Sequence, residues 1–528
     1  MERQYGEGIP RRRRDVILLR ALPFIYLALA LGAVIYFILG AGAAEFHSDN
    51  TDSLLWAEAS LEAGRTLDPD FKYAGYVPFG ASIWSIPLLA VFGYGWTAYK
   101  LSNLIFLIIF VLAAWLGFRS FDLSHKRTAY AVGTLLMLCS ASPKMREIFW
   151  GHIIYYSLAV LFLFLAIYFI EKKHFIPLAL LSVGVAINGL QGVSMYHVPL
   201  IAAILALTLI DRQRLRFYCL NILVLSMPVG LGIKLFLERG GVVAAYASAY
   251  MSYSDEAAWL ENAAKLPRHI RHLFDAVVKV HTSLASVESF AFVMRLFLVL
   301  VLCILPIYLF FRWRHSETAL QLYTLAFLSA IILFTMVYGK LGTSAWRLIP
   351  AVIGGAFVCL GYLAQRAKEK LTVKTFLALF LAIFSLVQVG QIYAMPFDGW
   401  EENRLAPLQE VLLEMDTEET PIYANFWLSH SLRLSSDDRL ETRAITLRKG
   451  EIRPYYYQVQ KRFYLESAAK DDFYLVVREF EMDDVKDDLE TLNEHIVEQR
   501  QVGPFIVFVG EGNLWEALDY DVVAHFAG

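Results

Sequence analysis

Two aspartates three residues apart stand in an acidic segment that directly follows a long apolar stretch. Asp49 and Asp52 lie in the segment from Glu45 to Glu58. If a helix begins here, both carboxylates face one side of its first turn. A carboxylate in that place can act as a general base on a hydroxyl group. The alternative is structural, because Ser48, Asp49 and Asn50 are all residue types that cap helices.

A second acidic motif, Asp68-Pro69-Asp70, follows in the same segment. Paired carboxylates can hold a divalent cation. Asp-Pro-Asp is also ordinary turn chemistry, and three residues are weak evidence for a metal site. The turn is therefore the favoured interpretation of Asp68 and Asp70, with metal binding as the alternative.

Further polar residues gather where apolar stretches end. Each one alone is typical of a long side chain that extends to the membrane interface. Together they predict a polar layer at one end of the membrane part, and ionisable groups in such places often mark functional sites. The arginines of this layer could bind a phosphate group, because a guanidinium can form two parallel hydrogen bonds with it. The residues are Lys144, Arg146, Glu147, His152, Tyr196, His197, Arg295, Lys340 and Arg347.

The composition shows what kind of element must position these residues. The chain has 528 residues, of which 57% are hydrophobic and 18% are charged, with a mean hydropathy of +0.48. Soluble globular chains are about 45–50% apolar and about a quarter charged. A soluble enzyme and a disordered chain are thereby excluded. Nucleic acid is not expected as a partner, because the basic residues are scattered and form no continuous patch.

The apolar stretches predict about eleven membrane-spanning helices within residues 1–400. Five short loops between them are basic, for example Arg119/Lys126/Arg127 and Lys172/Lys173. Since basic loops face the cytoplasm, the N-terminus is expected inside the cell and the multi-pass chain in the cell membrane. Two long outer segments, 45–95 and 238–289, are expected to carry helices on the membrane surface, the second with a break at Pro267.

Residues 401–528 are expected to form a separate soluble domain outside the cytoplasm. This part carries 27 acidic against 13 basic residues, a balance of −14. Strands are predicted at 421–427, 440–447, 473–480, 496–502 and 505–510, with helices at 405–415, 451–464 and 484–493. Alternating strands and helices indicate a small α/β domain.

Several short motifs resemble those of the membrane-embedded C-type (GT-C) glycosyltransferases. This superfamily includes protein O-mannosyltransferases, aminoarabinose transferases and oligosaccharyltransferase catalytic subunits. The motifs are Asp49-Asn50-Thr51-Asp52, Trp56-Ala57-Glu58-Ala59, Tyr76-Val77-Pro78-Phe79-Gly80, Phe92-Gly93-Tyr94-Gly95 and Trp346-Arg347-Leu348-Ile349-Pro350. The likeness extends from the first predicted span to the eleventh.

The resemblance implies a reaction and a set of residues. A sugar would pass from a polyprenyl-phosphate or diphosphate carrier to a glycan, lipid or protein acceptor at the outer membrane face. Asp49, with Asp52 as competitor, would be the base or would position the acceptor or a metal. Arg347 would bind the donor phosphate, with Lys340, Arg146 and Arg295 as further candidates. Weaker candidates for acceptor or metal binding are Glu147, His152, His197, Asp68 and Asp70.

No resident cofactor is expected, although Mg²⁺ or Mn²⁺ remains an alternative, since metal-dependent members of the superfamily place a second acid where Glu147 stands. Two other classes fit the composition. A polytopic lipid or sugar transporter should show inverted repeats and helices broken at mid-membrane, a feature that only 188–197 suggests. A non-catalytic membrane scaffold with an outer sensor domain would have no use for the acidic first loop.

Overall fold

The computed structural model describes residues 10–73, 77–210, 214–241, 255–277, 287–311, 318–337, 345–366, 373–415, 420–448, 451–455, 457–467 and 470–527. Its first part is a helical bundle. The helices are α1 (Pro10–Leu39), α2 (Asp52–Ala63), α3 (Ala81–Phe92), α4 (Trp96–Arg119), α5 (His125–Leu138), α6 (Pro143–Arg146), α7 (Tyr155–Glu171), α8 (Phe175–Ile187), α9 (Gly189–Gly192), α10 (Val198–Ile210), α11 (Arg214–Leu237), α12 (Glu256–Leu273), α13 (Val287–Phe311), α14 (Thr318–Val337), α15 (Ile349–Arg366) and α16 (Val373–Tyr393).

Every apolar stretch that was predicted to span the membrane is helical, but the count of eleven spans is not confirmed. Among the described residues, seven helices are long and apolar enough to cross a membrane, or eight if one bent pair is a single span. The remaining three predicted spans correspond to shorter helices, α5, α8 and the apolar part of α14. The chain is a polytopic helical membrane protein, as its composition predicted.

The bent pair interrupts one predicted span, 148–170. Helix α6 continues into a π-helical turn, Glu147–Gly151, and α7 starts again at Tyr155 after a bend of 70°. Single π turns of this kind often occur at functional sites. Here the break brings the side chains of Glu147 and His152 to the end of the bundle that carries the acidic segment.

In the described part of the chain, the predicted inner loop at 119–127 contacts the loop at 172–173 and the last turn of α15, at the opposite end of the bundle. Lys172 pairs with Asp122 at 3.4 Å, and Arg127 donates a hydrogen bond of 3.1 Å to the carbonyl oxygen of Gln365. Arg119 likewise binds the carbonyl oxygen of Leu123. These two basic loops and the acidic segment therefore lie at different ends of the bundle.

The two long outer segments each contain a helix or a helix pair. Helices α2 and α3 pack against each other in the first segment. In the second, α12 begins with the Asp255 side chain accepting a hydrogen bond from the amide of Ala258. The break predicted at Pro267 is wrong, because α12 continues through this proline to Leu273.

The C-terminal domain (residues 401–528) is built on a six-stranded mixed sheet, as the α/β prediction required. Its order is β4-β3-β2-β6-β8-β7, with β2 parallel to both of its neighbours and the other pairs antiparallel. The strands are β2 (Ile422–Asn425), β3 (Thr442–Arg448), β4 (Glu451–Pro454), β5 (Val459–Gln460), β6 (Asp472–Arg478), β7 (Ile496–Val502) and β8 (Phe505–Glu511). The helices are α17 (Ala406–Glu414), α18 (Phe426–Ser435), α19 (Lys461–Ser467), α20 (Lys486–Leu492), α21 (Leu514–Ala517) and α22 (Val522–Ala527).

Two predictions for this domain are wrong. The helix predicted over 451–464 is replaced by β4 and β5, and only the short α19 follows. The strand predicted over 421–427 ends at Asn425, whose side chain caps α18 by accepting from the amide of Leu428. Helix α18 was missed because its polar residues, Ser429, His430 and Ser431, obscure the helical period.

Strand β5 does not join the main sheet. It pairs antiparallel with β1 (Phe71–Lys72), which belongs to the acidic segment of the bundle part. The C-terminal domain and the first outer segment are thus joined by backbone hydrogen bonds as well as by side chains.

Candidate active site

The residues before α2 form one turn of 3-10 helix, Ser48–Thr51. None of Ser48, Asp49 and Asn50 caps α2 with its side chain, because the residue at the cap position is Thr51 and its hydroxyl donates to the carbonyl oxygen of Ser48 instead. Helix capping therefore does not explain the acidic residues of this loop. We call residues 45–52 the acidic loop.

The break before α7 lies directly against this loop. His152 Nε2 is 3.0 Å from Asp52 Oδ2, and both side chains are largely buried. Gly151 allows the close approach, since a Cβ atom there would lie 2.3 Å from Asn50 Nδ2. Asn50 in turn donates to the hydroxyl of Tyr99 at 3.2 Å.

Glu147 carries the second set of contacts. Its carboxylate is 2.6 Å from Lys144 Nζ and 3.3 Å from His47 Nε2. Lys144 also lies 4.0 Å above the ring of Trp346, the residue before Arg347. The turn Ala345–Leu348, with a buried Arg347, is thereby brought to the same end of the bundle.

Asp49, Glu147 and His152 converge closely enough to share a ligand. One ligand atom from each lies within 4.8 Å of the others. Two oxygens on opposite sides of a divalent cation at about 2.1–2.4 Å are roughly 4.2–4.8 Å apart, so this spacing fits an ion. Asp52 Oδ1 and His152 Nδ1 are buried without a hydrogen-bond partner, which leaves coordinating capacity in the same place. We call Asp49, Asp52, Glu147 and His152 the acid–histidine cluster.

The surroundings of Asp49 raise the pKa of its carboxyl group and so make its carboxylate a stronger base. Burial raises the pKa of Asp49, and the neighbouring carboxylates of Asp52 and Glu147 act in the same direction, while His152 and His47 oppose them. The described residues donate no hydrogen bond to the Asp49 carboxylate. A carboxylate with a raised pKa and no donor holds a proton better than ordinary aspartate does.

The other predicted residues are engaged elsewhere or lie apart. Arg146 binds both carboxylate oxygens of Glu45, one at 3.0 Å, and Arg295 binds Asp275 at 2.7 Å. Neither guanidinium is thus available for phosphate without breaking an ion pair. His197 is fully buried beside the Ser226 hydroxyl at 3.1 Å, away from the acidic loop.

The remaining two predictions concern Asp68-Pro69-Asp70 and Lys340. Asp68 Oδ1 accepts a hydrogen bond of 2.9 Å from the amide of Asp70, and the Asp68 amide donates to the hydroxyl of Tyr73 at 2.9 Å. Asp68-Pro69-Asp70 therefore forms a turn before β1. Lys340 lies outside the described residues.

The C-terminal domain completes the surroundings of the acidic loop. In α18, the Ser431 hydroxyl is 3.1 Å from that of Ser48, and the Trp427 ring centre is 6.1 Å from that of His47. Sequence reasoning did not single out His47 or these two residues of α18. Lys144 and Glu147 were both placed in the polar layer, and their spacing of three residues also predicts the ion pair that they form.

No protein-family model matches the sequence, and no curated protein matches it significantly. The fold, however, is found in known structures. The crystal structure of ArnT from Cupriavidus metallidurans in the apo state is similar with a TM-score of 0.57 and 12% identity, over 92% of this chain and 97% of ArnT. The same protein bound to undecaprenyl phosphate gives 0.56 and 13%, over 93% and 98%.

A weaker likeness, with a TM-score of 0.46 and 12% identity, links the chain to the Archaeoglobus fulgidus oligosaccharyltransferase in the apo form, over 88% of this chain and 70% of that one. The comparison with ArnT covers the bundle and the C-terminal domain together. It confirms the GT-C-like fold that the sequence motifs predicted.

Proposed function

We propose that this protein is a membrane glycosyltransferase that moves a sugar from a polyprenyl-phosphate or diphosphate carrier to an acceptor. The observation that carries the proposal is the acid–histidine cluster, which gathers three carboxylates and an imidazole at one end of an ArnT-like bundle. ArnT has been crystallised with undecaprenyl phosphate, which supports a carrier of the same class here.

Asp49 is the better candidate for the base. Its carboxylate receives no hydrogen bond from the described residues, and burial raises its pKa, so it can accept the proton of an attacking hydroxyl group. Asp52 is instead held by His152, which makes it an orienting group for the imidazole. The bond formed joins the acceptor oxygen to the sugar's anomeric carbon, and the carrier phosphate leaves.

The departing phosphate needs positive charge close to the cluster. Lys144 pairs with Glu147 of the cluster and lies 4.0 Å above the ring of Trp346, the residue before Arg347. Arg347 therefore remains the proposed phosphate ligand, and Lys144 joins it as a second. Arg146 and Arg295 stay as further candidates, since each is held in an ion pair, with Glu45 and Asp275, as Lys144 is with Glu147.

A divalent cation is the alternative use of the same residues. Asp49, Glu147 and His152 would hold it, and two carboxylates with one imidazole suit Mg²⁺, Mn²⁺ or Zn²⁺. When bound, such an ion would neutralise charge on the carrier phosphate. In that case chelation should abolish transfer and addition of Mn²⁺ or Mg²⁺ should restore it. Full activity after chelation would leave Asp49 as a metal-free base.

The cluster and the C-terminal domain are proposed to face the outside of the cell. The supporting observation is that two of the basic loops, at 119–127 and 172–173, meet at the opposite end of the bundle. Cysteine labelling in intact cells tests this with two exposed positions, Lys486 in the C-terminal domain and Lys126 in a basic loop. Labelling of Lys486→Cys alone supports the orientation, and labelling of Lys126→Cys alone reverses it.

The reaction itself is tested with purified full-length protein and a panel of polyprenyl-phosphate-linked sugars, by measuring release of the free carrier. Asp49→Asn should lower the rate by about 10²–10⁴, the usual contribution of a general base. Asp68→Asn is the matched control, because an amide oxygen can still accept the hydrogen bond that forms the turn. A wild-type protein that releases no carrier, or an Asp49→Asn variant as fast as the control, refutes the proposal. Movement of the intact donor across vesicles without release would indicate a transporter.

A further inference from the structure

One tryptophan of the C-terminal domain lies over the acidic loop with its ring open to solvent. Trp427 is 43% exposed, whereas its chain neighbours Phe426 and Leu428 are 7% and 1% exposed. Ser431, one helical turn later in α18, contacts Ser48 of the acidic loop. Residues four apart share a helix face, so Trp427 is on the face of α18 that meets the loop.

The distances place this ring at the edge of the acid–histidine cluster. The ring centres of Trp427 and His47 are 6.1 Å apart, with an angle of 60° between their planes. His47 Nε2 is 3.3 Å from Glu147 Oε1, and Glu147 shares the cluster with Asp49. A single imidazole therefore separates the indole from the carboxylates.

An aromatic face beside carboxylates matches the chemistry of a pyranose ring. Such a ring has a face of C–H groups and a rim of hydroxyl groups. The C–H face packs on the negative face of an indole, and the hydroxyl groups can donate to carboxylates. An acyl chain would gain nothing from the carboxylates, and burying them against it would be costly.

We propose that Trp427 is the stacking surface of a pyranose-binding subsite, with His47 and Glu147 facing the hydroxyl rim of the bound sugar. The inference rests on the proposed glycosyl transfer and deepens it, since it names a pyranose ring as the group held at this edge of the site. The ring could belong to the carrier-linked donor or to a glycan acceptor. In either case the C-terminal domain contributes a specificity residue to a site otherwise built from the bundle.

Binding is tested without turnover by saturation-transfer NMR on the full-length protein in detergent, with methyl α-glucoside, methyl α-mannoside and methyl α-N-acetylglucosaminide as probes. We expect transfer to the ring C–H protons of at least one probe, with binding weakened about two- to tenfold in Trp427→Ala and largely restored in Trp427→Phe. Phe480→Ala, which removes another exposed aromatic ring of the same domain, is the control and should bind as the wild type does.

Equal binding by the wild type and Trp427→Ala, or no binding of any probe by the wild type, overturns the subsite. Steady-state kinetic parameters that are the same in Trp427→Ala and the wild type also overturn the subsite, and would leave the tryptophan as an interfacial anchor. Steady-state kinetics identify the source of the sugar: a raised KM for the carrier-linked donor indicates the donor sugar, and a raised KM for the acceptor indicates a glycan acceptor.

The same measurements separate this inference from the proposed function. Asp49→Asn should still bind the probe glycosides while losing transfer. If the wild type binds the probe glycosides in a way that depends on Trp427 but transfers no sugar, the proposed reaction is refuted and the subsite stands. If the wild type transfers sugar but its binding of the glycosides does not depend on Trp427, the subsite is refuted and the proposed reaction stands.

Discussion

The contact between Arg433 and Glu58 should hold the C-terminal domain on the helix that begins at Asp52. The Arg433 guanidinium donates two hydrogen bonds to Glu58, of 2.8 and 2.6 Å, and a third of 2.6 Å to Asp438. It also lies 4.3 Å from the centre of the Tyr94 ring. Burial lowers the pKa of Arg433, but the carboxylates of Glu58 and Asp438 outweigh it and hold the pKa above its usual value.

Arg433→Met tests this contact by leaving the Glu58 carboxylate buried without its partner. Breaking a buried ion pair in this way costs about 3–5 kcal/mol. Amide exchange in α18 should therefore accelerate by about two to nearly four powers of ten, since each 1.4 kcal/mol is a factor of ten. Hydrogen–deuterium exchange read by mass spectrometry on the full-length protein measures this directly. Transfer activity should fall as well, because the acidic loop loses its contact with α18.

Two further variants make the result interpretable. Lys486→Met removes an exposed pair with Glu490, at 3.8 Å, in the same domain and should change stability by less than about 1 kcal/mol. Glu58→Leu combined with Arg433→Met removes both buried charges and should recover most of the protection. If Arg433→Met accelerates exchange less than tenfold, or no more than Lys486→Met, the ion pair does not hold the domain in place.

Three other predictions concern Asp49 and the proposed binding of the donor phosphate by Arg347. Asp49→Asn should raise the midpoint of thermal unfolding at neutral pH while it lowers the transfer rate by about 10²–10⁴. Burial raises the pKa of Asp49 in the folded protein above its value in the unfolded chain, so ionised Asp49 costs stability, and this cost grows as pH rises from the unfolded pKa through the folded one. The acid limb of the kcat/KM profile should lie above the ordinary pKa of aspartate, and a limb at the ordinary value would argue against Asp49 as the base. Arg347→Lys should weaken apparent donor affinity about tenfold to more than a hundredfold, whereas an interfacial anchor would tolerate the change.

The membrane part was largely predictable because its signal is simple. A helix in a bilayer must be apolar over most of its length, so α1, α4, α11 and α13 are visible as long stretches of high hydropathy. The number of spans was not predictable in the same way. Helices such as α5 and α8 are too short to qualify by themselves. The bend after Gly151 depends on packing against Asn50, which hydropathy does not record.

The acidic loop was found from its residue types, but its partners required the fold. The spacing of Asp49 and Asp52 left helix capping open, and the resemblance to GT-C glycosyltransferases implied their catalytic role, whereas Glu147 and His152 were only weak candidates. Both owe their place to the π turn and the break between α6 and α7, about a hundred residues along the chain. The helix α18 was missed because Ser429, His430 and Ser431 interrupt its apolar period, and of these Ser431 contacts Ser48 of the acidic loop.

The placement of buried polar residues is the best argument that the acidic loop is a site and not only a connection. A loop at the end of a bundle can satisfy its side chains with water or with helix caps. Here the Asp49 side chain does not cap α2, and Asp52 Oδ1 and His152 Nδ1 are buried without hydrogen-bond partners. Glu147 pairs with Lys144 and His47. Burying such groups costs free energy unless something compensates for it. Proteins retain that cost where a ligand supplies the missing contacts, and the proposed phosphate-linked sugar would be such a ligand at this end of the bundle.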